Sequence, residues 1–149
     1  MNKLFSFSLF GLCLVALLSL SCNKDDTPQP TKTEYITQSA WKFDKATASG
    51  IDISAQIPAC FKDNTITFVS NGSGTISEGA TICVPPAPAT FTWSFQNNET
   101  RLSLSTPLIS GGSGIFNLVV LNEVNLVISQ DMTIPPSPTP ITVVITFKH

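Results

Sequence analysis

The chain has 149 residues, and only 12% of them are charged, with 8 Lys and Arg against 10 Asp and Glu. A net charge of −2 without a basic cluster argues against nucleic-acid binding, which needs a positive footprint over the phosphates. Thr, Ser, Asn and β-branched residues are abundant and no long helical period occurs, so strands are favoured over helices.

At the front, Lys3 and the free amine precede an uncharged apolar run over 4–20, followed by the small Ser21. This pattern predicts a secretory signal peptide over residues 1–21. The run is just short of the roughly 18 apolar residues of a membrane span, and no basic stop-transfer cluster follows it. The stretch LLSLSCNKDD, 17–26, resembles the bacterial lipobox, in which leucine precedes a small residue and a lipidated cysteine. It departs from that pattern at Ser19, where leucine is usual, with Leu18 one place further back. The resemblance implies a diacylglycerol and an amide-linked acyl chain on Cys22. Each buried CH₂ is worth about 0.8 kcal/mol, so several chains on one residue anchor stably to a membrane. The next residues, Asn23-Lys24-Asp25-Asp26, are similar to the acidic stretch that follows the cysteine in lipoproteins of the Bacteroidetes group. That similarity implies an outer-membrane protein of the cell envelope, and since in some of these lipoproteins the stretch acts as a surface-export signal, display at the surface; the alternative is a solvated linker that keeps the domain off the membrane.

Residues 22–36 read as the lipidated cysteine and a flexible tether, because their polar, proline-containing composition does not bury a core. Residues 37–149 then suit one domain. Cys13 leaves with the signal and Cys22 takes lipid. Cys60 and Cys83 remain as an even pair in an exported domain, which predicts a disulfide. Two thiols without a nearby His or a second pair do not make a zinc set, so no metal and no cofactor are expected.

Period-two alternation predicts eight strands, at 40–47, 64–70, 74–78, 89–96, 101–105, 115–121, 124–130 and 141–148. TFTWSF at 90–95 turns Phe91, Trp93 and Phe95 to one face, TITFV sets Ile66 and Phe68 inward, and EVNLVIS buries Val124, Leu126 and Ile128. Between the runs lie SNGSG at 70–74, QNNET at 96–100, LNE at 121–123 and SGGSG at 110–114, all with turn chemistry. PPSPTP at 135–140 reads as an exposed connection before the last strand. Strands joined to their neighbours predict an eight-stranded antiparallel up-and-down barrel, with a β-sandwich as the alternative.

A short segment leads to SAW at 39–41 at the head of the first strand, then CFKDNTITFVSNGSGT from Cys60, Cys83, TFTWSF and FNLVVLNEVNLVIS from Phe116. In this order the features resemble the lipocalin-like domains on Bacteroidetes lipoproteins, over roughly residues 37–130. SAW is a degenerate Gly-x-Trp, with Ser39 in place of Gly. The resemblance implies a calycin-type barrel and brings no defined ligand, because fold does not fix function.

No catalytic constellation emerges. The single histidine, His149, is the last residue and is expected to fray. The carboxylates are scattered over turns and outward faces and read as solvated charge. A non-catalytic role is therefore expected. In one version Trp41, Phe68, Phe91, Trp93 and Phe116, with Phe43 and Phe95, line a pocket for a small hydrophobic ligand. In the other these rings fill the barrel, and the loops at 83–89 and 135–140 bind an envelope protein or a glycan. The many large inner-face residues favour a filled or nearly filled interior.

Overall fold

The computed structural model describes residues 28–109, 111–133 and 138–149; the expected signal peptide and Cys22 lie outside the described residues. Helix α1 (Lys32–Thr37) leads into β1 (Trp41–Ala48) and a two-residue β2 (Ile51–Asp52). A single 3-10 turn and helix α2 (Ala59–Lys62) follow. Then come β3 (Thr65–Phe68), β4 (Ser73–Ser77), β5 (Thr90–Gln96), β6 (Arg101–Leu104), β7 (Ile115–Leu121), β8 (Asn125–Met132) and β9 (Ile141–Lys148). All eight predicted strands are present, and β2 is an addition too short and exposed to leave an alternating pattern.

Each strand pairs antiparallel with the next along the sheet, and β9 returns to β1 from Lys42↔Lys148 to Ala48↔Val143. The sheet is therefore a closed eight-stranded barrel with β2 appended to β1, consistent with a lipocalin-like barrel and not with a sandwich. Closure gives each of the eight barrel strands a neighbour on both sides, although β1 meets β3 only at Trp41 and Lys42. A bulge between Phe43 and Lys45 shifts the parity of β1, so that Trp41 and Phe43 face inward before it and Ala46 and Ala48 after it.

Antiparallel order sends the turns 69–72, 97–100 and 122–124 to one end of the barrel and the longer connections to the other. The first end is closed by α1, which starts before the boundary expected at residue 37, inside the segment read as tether. Thr31 and Glu34 form a reciprocal capping box, which satisfies amide N–H groups that a helix start leaves orphaned. The bonds from the Thr31 backbone N–H and then its hydroxyl hold the Glu34 carboxyl below its ordinary value. Ile36 is fully buried as α1 packs on β3 and β7. Trp41, also fully buried, donates its indole N–H to the Ile36 carbonyl at 2.9 Å.

His149 is docked at this end instead of frayed: its ring lies 3.8 Å from that of Trp41, and Nδ1 is 3.1 Å from the Ala40 carbonyl oxygen. Val124, expected inside, is 55% exposed. The Asn122 carboxamide accepts from the backbone N–H groups of Val124 and Asn125, which makes 124 a turn position and delays the strand.

Candidate ligand cavity

Of the aromatic residues singled out from the sequence, Trp41, Phe68, Phe91, Trp93 and Phe116 lie in the core, and Phe43 and Phe95 pack against it partly buried. Phe68 meets Phe91 and Trp93 edge-on, with ring centroids 5.4 and 5.5 Å apart. Gly74 lies opposite both Phe68 and Phe91 in the sheet, and a Cβ there would overlap the Phe91 ring. The Trp93 indole N–H donates to the carbonyls of Val69 and Ser73, which draws this cluster to the β3–β4 turn, at the α1 end. Phe116 sits opposite Leu102 with both fully or nearly fully buried. These rings pack the closed half of the barrel.

The other half is not filled. A cavity of about 580 Å³ opens between the long connections, within the size range of small-molecule sites. Phe43, Ile66, Ile76, Ile145 and Phe147 face it from the strands. Of the seven aromatics expected to line a pocket, only Phe43 lines this cavity; Trp41, Phe68, Phe91, Trp93, Phe95 and Phe116 do not. The expected filled interior thus holds for one end only.

Three loops build the mouth. Ile57 and Pro58, followed by Cys60 and Phe61 of α2, form one side. The proline-rich segment 83–88 forms the second, and the stretch 106–109, with Leu108 buried, forms the third. The predicted disulfide is present: Cys60 and Cys83 are bonded, with Cα atoms 5.1 Å apart, and it ties α2 to the proline-rich segment. Glu78 Oε1 accepts from the backbone N–H groups of Cys83 at 3.2 Å and Ala87 at 2.9 Å. Asp63 Oδ2 accepts from the Thr81 N–H at 2.9 Å. Gln130 Oε1 accepts from the Ser113 N–H and so steadies the connection after 106–109. Proline supplies no backbone donor of its own, and two of the few N–H groups of the segment, those of Cys83 and Ala87, are taken up by one carboxylate.

Glu78 and Asp63, read from sequence as solvated charge, are therefore parts of the mouth. A carboxylate flanking a proline-rich loop closed by a cysteine was the available signal. Asn64 was also missed. It continues the inward alternation of Ile66 and Phe68 by one step, is 5% exposed and borders the cavity. Among the described residues, Asn64 and Thr106 are the only cavity-lining side chains with oxygen or nitrogen atoms, and none is charged. Among the described residues no cluster of His, Cys, Asp and Glu is arranged to hold a metal ion. The first half of the PPSPTP segment, 135–137, lies outside the described residues. No protein-family model matches the chain, and no curated protein matches it.

Proposed function

We propose that this chain is a non-catalytic, lipid-anchored protein of the bacterial cell envelope whose lipocalin-like barrel takes up a small hydrophobic molecule. The observation that carries the reading is the apolar cavity at the open end, held in shape by a disulfide and by Glu78. Such a pocket offers apolar burial worth about 25 cal/mol per Å² of ligand surface removed from water. The anchor rests on Cys22 and its lipobox-like approach, and the outer-membrane, surface-facing location on Lys24-Asp25-Asp26.

Ile76 projects from β4 into the cavity and is 8% exposed. Ile76→Trp places a larger group in existing space. In the full chain it is expected to weaken binding of the neutral fluorophore N-phenyl-1-naphthylamine at least 10-fold, roughly the loss of two buried methylenes. The far-UV circular dichroism should stay unchanged. Unaltered fluorophore binding in a folded Ile76→Trp chain contradicts a cavity site.

A second reading, an interaction module for an envelope protein or a glycan, is favoured by one feature. Ile82 and Val84 stand 66% and 97% exposed beside the mouth, where apolar side chains contribute nothing to the core. Under that reading Val84→Ser abolishes partner capture and Ile76→Trp does not.

A further inference from the structure

We infer that the cavity selects an uncharged amphiphile, an apolar body carrying a hydrogen-bond donor such as an alcohol hydroxyl, and that Asn64 is the residue that receives the donor. This rests on the reading of the cavity as a ligand site and names the chemistry of what enters it.

The Asn64 Oδ1 atom is buried and has no hydrogen-bond partner among the described residues. Buried polar atoms are almost always paired, because leaving one unpaired in a low-dielectric interior is costly. Asn64 immediately precedes β3, two residues before Ile66 on the same inward alternation, and with Thr106 it is one of the two polar side chains in a largely apolar pocket wall. A few polar groups in an apolar lining are what orient a ligand. An acceptor calls for a donor on the ligand.

The surrounding charges exclude an ionised head. Among the described residues no cation lines the cavity, so a carboxylate or phosphate would enter without a counter-ion from them. Lys62, Asp63 and Glu78 are charged groups on the segments that build the mouth. Lys62 Nζ is directed at the Ser54 carbonyl at 3.4 Å, and the two carboxylates hold backbone N–H groups of the 81–87 segment. Two fixed negative charges beside the entrance repel an anion further. Among the described residues no carboxylate lines the cavity to pair with an ammonium group either.

Isothermal titration of the full chain with 1-decanol, its methyl ether and decanoate at pH 8 tests this. The alcohol should bind about 10-fold more tightly than the ether, whose oxygen carries no donor, and decanoate should bind most weakly. Asn64→Leu should remove the alcohol-to-ether preference while the ether still binds. The wild-type ratio needs no variant, so the inference stands or falls even if Asn64→Leu does not fold. Equal affinities for alcohol and ether, or tightest binding of decanoate, overturn the role of Asn64 and leave the carrier reading in place. Absence of binding by all three probes overturns both.

Discussion

Trp41→Ala is expected to lower the free energy of unfolding by about 3–5 kcal/mol, the range for removing a large aromatic side chain from a packed core. Trp41 is fully buried where α1, β1 and the chain end at His149 converge. Its removal leaves a hole beneath α1, strands the Ile36 carbonyl without its donor and takes away the surface on which His149 rests. Trp41→Phe separates these effects. It keeps most of the apolar contact and loses the indole N–H, so about 1–2 kcal/mol is expected. Urea unfolding followed by circular dichroism gives both numbers. A cost below about 1 kcal/mol for Trp41→Ala would mean that α1 is not the plug of the closed end.

The Cys60→Ala, Cys83→Ala double variant should cost about 3 kcal/mol, because the bond closes a loop spanning a sequence separation of 23 residues. It should also weaken uptake of N-phenyl-1-naphthylamine, because the bond fastens one side of the mouth to another. The two consequences differ from those at Trp41, which lies outside the cavity and should leave ligand affinity in the folded state nearly unchanged. Denaturant midpoints together with fluorophore titration distinguish them. If the double variant unfolds earlier yet binds the fluorophore with full affinity, Glu78 and the prolines alone keep the mouth in shape.

The barrel was legible because one physical constraint, a buried face on every strand, writes itself as alternation with period two. Phe91, Trp93, Leu102, Leu104, Ile128 and Ile145 all fall on the predicted side. Closure was not legible, since alternation is the same in a barrel and a sandwich; it depends on the pairing of β9 with β1 across the whole chain. Helix α1 carried a local signal, Thr31 followed three residues later by Glu34, but its polar composition reads equally as tether. The cavity was the least legible part. Inward-facing aromatics look alike in sequence whether they fill space or border it. What decides is where their polar tips are tied: Trp93 is drawn to the Val69 and Ser73 carbonyls at the closed end, away from the open half. The mouth is assembled from Cys60, Glu78 and the prolines by contacts between loops, which no periodicity announces.

The central claim is that the open half of the barrel holds a small hydrophobic molecule. Native mass spectrometry of the full chain, after exposure to a bacterial envelope lipid extract, tests it most directly. The account predicts a discrete added mass of one small neutral molecule, lost on unfolding and absent from Ile76→Trp. A folded chain that keeps its bare mass throughout, or an adduct carried equally by Ile76→Trp, would contradict it.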